Sequence, residues 1–224
     1  SSPSPSLSPP NGGYGWERYK GKLRPKKASI ISSMNSLSIY TQAVDMNFKL
    51  LRWQHWPDMP VPLIRNQRCL LIGSGTLGCY VARLLLGWGI TTITMLDYGK
   101  VSPSNPVRQP LFSYKNWLHH QYKSVAACQA LYDILPSVHA TPVVLSIPTA
   151  GTVGPSELPE ALENAKKLSY LIQQHDTIFL LTDSRASRWL PTLLSAAYGK
   201  LAIVSAIGAD SFVALRHGVR QYWP

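Results

Sequence analysis

The stretch Arg68–Asp97, RCLLIGSGTLGCYVARLLLGWGITTITMLD, decides the fold. Arg68–Gly73 is a short apolar run that opens directly into glycines at positions 73, 75 and 78. Over Cys79–Trp88, Val81, Leu84, Leu85 and Trp88 recur at helical spacing, and Gly89 is placed to end that helix. Thr91–Leu96 is β-branched and apolar, the composition of a buried strand. Strand, glycine turn, helix and strand make one βαβ unit of about thirty residues. Gly73, Gly75 and Gly78 satisfy G-x-G-x-x-G in the context that the pattern requires. The first permits a tight turn, the second lets backbone approach a phosphate, and the third brings helix and strand together. The helix start offers unpaired N–H groups and a partial positive charge to an anion. Asp97 ends the second strand, where a carboxylate can accept both hydroxyls of a ribose. The unit predicts a nucleotide site; a glycine turn kept only for tight packing is the alternative.

The alternation continues on both sides. A helix is predicted over Tyr40–Trp56 and another over Tyr122–Leu135, stopped by Pro136. A strand at Ala140–Ser146 and a Pro/Gly/Thr/Ser loop at 148–157 come next. Leu158, Ala161, Leu162, Ala165, Leu168, Leu171 and Ile172 then share one helix face. Strands follow at Thr177–Leu181 and Leu201–Ser205 around a helix at Trp189–Tyr198, and Asp210–Leu215 resembles one more strand. The expected fold is α/β, a mostly parallel sheet with helices on both faces. It occupies residues 34–218 and is expected to be incomplete at its C-terminus. Residues 1–33 read as a disordered Ser/Pro-rich and basic tail. Arg18, Lys20, Lys22, Arg24, Lys26 and Lys27 within it are either a docking patch for something acidic or a solvated linker face.

Among 224 residues, 45% are hydrophobic and 15% charged, enough apolar surface for one buried core. Lysine and arginine outnumber acidic residues 22 to 11, and the net charge of +11 favours anionic partners. No element that reads nucleic acid accompanies the basic run, so nucleic acid is not an expected partner. Cys69, Cys79 and Cys128 are too few for a disulfide framework and contain no Cys-x-x-Cys, which excludes a zinc ribbon; all three read as core residues. No apolar run approaches the roughly 18 residues that span a bilayer, so stable membrane insertion is not expected. A soluble domain of a reducing, intracellular compartment is.

The loop after Asp97, Val101-Ser102-Pro103-Ser104-Asn105-Pro106-Val107-Arg108-Gln109, argues against a nicotinamide or flavin enzyme. A dinucleotide needs no cluster of Asn, Arg and Gln there, whereas chemistry on the phosphates of a mononucleotide does. Lys123, at a helix start, supplies a second cation. Asp183 ends the strand TIFLLTD, at the strand edge where ligands sit in open α/β sheets. It either places a Mg²⁺ or caps the helix beginning near Ser187. Arg185 and Arg188 are either ligand contacts or exposed helix residues.

CLLIGSGTLGCYVARLLLGWGI, SNPVRQPL, LSIP, HDTIFLLTDSRASRWLP and AIGADSFVALRHG together resemble the adenylation domain of E1-like activating enzymes and of the ThiF/MoeB sulfur-carrier activators. Within that family they are most similar to the autophagy branch. The resemblance covers about residues 38–218 and leaves 219–224 as a tail outside the pattern. It implies a Rossmann-like fold, ATP and Mg²⁺, and adenylation of the C-terminal glycine of ubiquitin-like autophagy modifiers. Conjugating enzymes of the same pathway, a homodimer, and the cytoplasm or the pre-autophagosomal structure are implied with it. By motif, Asp97 would bind the ribose, Asn105 would help hold the phosphates with Gln109 in support, and Asp183 would place Mg²⁺. Arg108 and Lys123 would neutralise transition-state charge, although the family's usual Gly-Lys-Pro-Lys stands here as His120-Gln121-Tyr122-Lys123. The family's zinc ligands and thioester-forming cysteine would lie beyond residue 224. A truncated, non-catalytic module that binds a modifier or a full-length enzyme is the alternative function.

Overall fold

β-branched and aliphatic runs bounded by glycine and proline become six strands of one sheet. The computed structural model describes residues 13–28, 35–149, 151, 153–208 and 210–217. Residues 1–12 and 218–224, and with them part of the expected N-terminal tail and all of the 219–224 tail, lie outside the described residues.

The chain divides into two units, Ser1–Pro57 and Asp58–Pro224. The first holds β1 (Gly13–Tyr19), β2 (Lys22–Ala28) and α1 (Ser36–His55). The tail reading is corrected for 13–28: these residues pair as an antiparallel hairpin. Lys20 (φ 47°) and Gly21 (φ 77°) supply the two left-handed positions of a two-residue turn, which the lysine-rich composition hid. In α1, Asn35 caps the helix by accepting from the Leu37 N–H at 3.0 Å.

The second unit holds α2 (Val61–Arg65), β3 (Arg68–Ile72), α3 (Thr76–Gly87), β4 (Thr92–Leu96), α4 (Tyr114–Leu118), α5 (Lys123–Ile134) and β5 (His139–Val143). It continues through α6 (Leu158–Gln174), β6 (Thr177–Leu180), α7 (Arg185–Ala197), β7 (Leu201–Ile207) and β8 (Phe212–His217). β3 to β7 pair in parallel and β8 returns antiparallel to β7. The predicted mixed α/β fold is the one observed. Among the described residues no helix is long and apolar enough to cross a membrane.

Alternation along β3 sends its side chains into two cores. Leu70 and Ile72 join Leu168 and Ile172 of α6, with Leu190 and Leu194 of α7 packed alongside. Cys69 and Leu71 face the other way, where Cys79, Ala82, Ala127 and Leu131 of α3 and α5 are buried. At the β5 edge, the Val143 carbonyl accepts from Asp97 N–H and the His139 N–H donates to Thr91. By alternation Pro142 then faces outward, where its missing N–H breaks no ladder bond and blunts the edge. At the start of β3, Asp176 takes the Arg68 guanidinium through both carboxylate oxygens and the Arg68 N–H through one, and it lies below the usual carboxylate range because of that arginine.

His175, just after α6, is buried between two elements. Its Nδ1 lies 2.6 Å from the Leu171 carbonyl and its Nε2 2.7 Å from Thr94 Oγ1 on β4. The carbonyl can only accept, so Nδ1 carries the proton and Nε2 accepts from the threonine hydroxyl. Burial pushes the imidazole below its ordinary 6.5, Arg68 and Lys200 adding to the effect while the Leu171 carbonyl and Asp176 oppose it. The unfolded chain therefore takes up this proton first as pH falls, and the stability present above about pH 6.5 declines on acidification. Urea unfolding at pH 7.5 and 5.5 should show a lower midpoint at the acid value, and His175→Gln should flatten that difference.

Candidate nucleotide-binding site

Strand order runs outward from β3 in one direction to β4 and β5, and in the other to β6, β7 and β8. The connections diverge between β3 and β6, and a crevice opens beyond the C-terminal ends of these strands. It is a cleft of about 920 Å³, lined by the glycine turn, the loops after β4, β5 and β6, and the β7–β8 connection.

The three glycines take three different parts. Gly73 has φ +106°, and a Cβ there would stand 3.0–3.1 Å from the Leu181 and Thr182 backbone. Its N–H donates to the Leu96 carbonyl at 2.8 Å, so the turn is wedged between the ends of β4 and β6. Gly75 is the N-cap of α3, has no side chain to cap it, and has no atom within 4 Å of where a Cβ would be. The first-turn amides of α3 face that open space, a site suited to an anion. Gly78 is the opposite case: a Cβ would fall 2.1 Å from the Gly73 carbonyl oxygen.

Asp97 lines the cleft and braces the turn. Its Oδ2 accepts from Ser74 N–H at 2.8 Å and its Oδ1 from Gly99 N–H at 2.7 Å. Each oxygen keeps a further lone pair for a ligand hydroxyl. Lys123 opens α5 on the same wall, its N–H donating to the Gly99 carbonyl at 2.8 Å. Arg108 reaches across from the loop and donates to Thr76 Oγ1 at 2.8 Å, which sets a guanidinium over the first turn of α3. Gln109 lines the cleft with 3% exposure, and its buried Oε1 has no hydrogen-bond partner among the described residues. An acceptor left in that state at a cleft wall is completed by a ligand donor or a water.

Asn105 departs from the expectation. It is buried, does not line the cleft, and spends its Oδ1 on Ser102 N–H at 3.0 Å. Its backbone carbonyl also takes the Arg108 and Gln109 amides. Asn105 shapes the loop that presents Arg108 and Gln109.

On the β6 side Asp183 lines the cleft, and its carboxylate makes no hydrogen bond or ion pair among the described residues. It is not the helix cap. α7 begins earlier than its apolar rhythm indicated, at Arg185, and Ser184 is the N-cap, accepting from Ser187 N–H at 3.3 Å. Arg188 donates to the carbonyls of Thr182 and Asp183 and ties this loop to α7; Arg185 and Arg188 both line the cleft. Thr76 and the Thr182–Ser187 hydroxyl pair are site residues that the sequence reading missed. The Ser-x-x-Ser spacing of an N-cap was the available signal for the second. Among the described residues no three His, Cys, Asp or Glu side chains gather into a metal cage. Burial pushes the thiol of Cys79 up to about 11 and those of Cys69 and Cys128 up to about 12, so none is a ready nucleophile.

Residues 49–221 match the ThiF family profile, past the boundary at 218 read from the sequence. The chain belongs to the ThiF family. This ThiF domain is 47% identical over 210 residues to the ubiquitin-like modifier-activating enzyme atg7 of Dictyostelium discoideum, which covers 92% of this chain and 30% of that protein. With the enzyme of the same name from Candida albicans it shares 47% over 210 residues, 92% of this chain and 33% of the relative. For Cryptococcus neoformans the values are 45% over 220 residues, 97% and 33%. The chain thus spans about a third of the length of these relatives. Among solved structures, E. coli MccB with AMPCPP and MccA superposes with a TM-score of 0.58 at 16% identity, over 72% of this chain and 43% of that one. PaaA superposes at 0.56 with 18% identity, over 76% and 46%. Both likenesses are of the fold.

The glycine geometry separates folding from binding. Gly78→Ala should destabilise the domain by more than about 3 kcal/mol, because helix and strand must part. Gly75→Ala should cost no more than about 1 kcal/mol as a cap change. Urea midpoints of the two variants check this.

Proposed function

We propose that this ThiF domain binds ATP and uses it to adenylate the C-terminal carboxylate of a ubiquitin-like autophagy modifier. The observation that carries the reading is the meeting, on one cleft, of Asp97, Arg108, Lys123 and Gln109, whose Oε1 has no partner among the described residues, beside the open side of Gly75. The name of the relatives, ubiquitin-like modifier-activating enzyme, supports the same substrate class.

The cleft's residues fit a nucleoside triphosphate. Asp97 accepts from the sugar, the α3 amides and Gly75 admit phosphate oxygens, and Arg108 and Lys123 stand for the negative charge. Asp183 is the carboxylate available on the β6 side to help hold a Mg²⁺, which when bound would neutralise phosphate oxygens; a single carboxylate suffices only together with ligand oxygens and water.

The reaction asks little acid–base chemistry of the protein. A C-terminal carboxyl with a pKa of roughly 3.5 is already ionised. Its oxygen bonds to the α-phosphorus as the bond to the leaving pyrophosphate breaks, giving an acyl-adenylate. The obstacle is bringing one anion onto another, so the protein contributes positioning and charge. Arg108 gives a forked contact held in place by Thr76, and Lys123 a point charge at the start of α5. None of the three buried cysteines suits a later thioester step. The family resemblance adds conjugating enzymes, a homodimer and a cytoplasmic role in autophagosome formation to this proposal.

Calorimetric titration of the chain with ATP·Mg²⁺ should show saturable binding. Arg108→Ala and Asp97→Ala should each weaken it at least about tenfold, a loss of one charge-assisted contact. Absence of saturation in the wild type, or equal affinity in the variants, overturns the site. Pyrophosphate exchange with an added modifier should fall on the order of 10²–10³ in Arg108→Ala. ATP binding without exchange favours the binding-module alternative.

A further inference from the structure

Gly99 belongs to none of the motifs read from the sequence, yet it sits where two charged residues of the cleft wall meet. Its N–H donates to Asp97 Oδ1 at 2.7 Å, and its carbonyl accepts from the Lys123 N–H at 2.8 Å. All three residues line the cleft. A Cβ on Gly99 would stand 3.1 Å from Asp97 Oδ1 and 3.8–3.9 Å from Cδ and Cε of Lys123. The place of the missing side chain is therefore the gap between the carboxylate and the ammonium stem. Gly99 is not one of the glycines with positive φ, so its backbone does not itself call for glycine. Nor can the segment slide to relieve a crowded position. On one side of Gly99 the Asp97 carbonyl accepts from Ser124 Oγ at 3.2 Å. On the other, Val101 N–H donates to the Gln121 carbonyl at 2.9 Å, and Lys100 and Tyr122 form a bridge. The carboxylate is pinned as well, since its Oδ2 accepts from the Ser74 N–H at 2.8 Å.

We propose that Gly99 is a positioning residue for the nucleotide: its bare Cα keeps the acceptor for the sugar and the cation for the phosphates at a fixed spacing. The inference rests on the nucleotide reading and adds to it a residue that acts through Asp97, not through a contact of its own. A methyl group on Gly99 comes closer to Oδ1 than carbon ordinarily approaches a neighbour, and something must give by a few tenths of an ångström. The backbone on both flanks is bonded to the start of α5 and the residues just before it, so the carboxylate yields. It loses its alignment toward the sugar hydroxyls, and the methyl covers part of the oxygen that takes one of them. The Lys123 stem, at ordinary contact distance, stays in place. Gly99→Ala thus costs sugar recognition and spares phosphate recognition. A glycine retained for packing alone behaves otherwise: its enlargement lowers stability, and affinity falls equally for every ligand of the cleft.

Titrating the full chain calorimetrically with ATP·Mg²⁺ and with 2′,3′-dideoxy-ATP·Mg²⁺ tests this. Gly99→Ala should weaken ATP binding at least about tenfold, because a charge-assisted contact to the sugar is lost. The dideoxy analogue has no hydroxyl for Asp97, so for it the variant should stay within about twofold of the wild type. In an Asp97→Ala background, adding Gly99→Ala should change ATP affinity by no more than about twofold, since both act on one contact. Thermal unfolding of Gly99→Ala should give a midpoint within about 4 °C of the wild type. The Ser74 amide resonance of the protein without nucleotide should shift in Gly99→Ala, because the carboxylate it donates to has moved. That readout needs no ligand and stands even where the dideoxy analogue binds too weakly to titrate. No saturation by ATP in the wild type overturns the nucleotide reading and this inference with it. With the wild type saturating, four outcomes overturn this inference alone: a Gly99→Ala chain that does not fold, unchanged ATP affinity in it, equal losses for ATP and the dideoxy analogue, or an unmoved Ser74 amide.

Discussion

The closeness of α3 to β3 governs everything at the open end of the sheet. At Gly78 there is no room for a single additional carbon, because the Gly73 carbonyl already occupies it. That approach lets a helix begin immediately behind a strand end and point its unbonded amides across the crevice, not past it. Gly73 meets the same demand on its other side, where the backbone of Leu181 and Thr182 presses against the turn. Two adjacent parallel strands and a helix thus converge on a few peptide groups, and side chains are excluded from the point of convergence by geometry. Polar chemistry is left to the loops around it.

Those loops are organised by backbone as much as by charge. The carboxylate of Asp97 holds the Ser74 and Gly99 amides and so joins the glycine turn to the start of the loop that leads toward α5. Arg108 is anchored by Thr76, and Arg188 by the carbonyls that precede and include Asp183. Each of these charged groups is held by fixed neighbours of the chain itself. Groups already aligned reorganise little when charge develops between them, and such preorganisation is where enzymes of phosphate chemistry gain most.

Much of this was legible in the order of residues. The β3–α3–β4 unit follows from β-branched runs, a glycine pattern with a fixed spacing, and one acidic residue at a strand end, and all of these are local signals. Asp97, Arg108, Gln109, Lys123 and Asp183, far apart in sequence, line one cleft because the strands that carry their loops end side by side. The structural part of Asn105 was not legible in the motif: its side chain closes the loop on Ser102, a turn interaction typical of asparagine. The start of α7 was misplaced because its first turn is polar and only its later residues show an apolar rhythm; Ser184 carries the boundary instead. The hairpin escaped notice since a charged ribbon with no hydrophobic face of ordinary width has no period-two signature, and its turn depends on a lysine in a left-handed conformation.

The concealment of the three sulfur atoms has a practical side. With Cys69, Cys79 and Cys128 all packed inside the sheet and its helices, alkylating reagents meet a surface without competing thiols. A cysteine placed by design at the rim of the crevice or on the ribbon would be the single fast-reacting position for a fluorophore or spin label. Distances could then be followed in solution without first stripping the native residues.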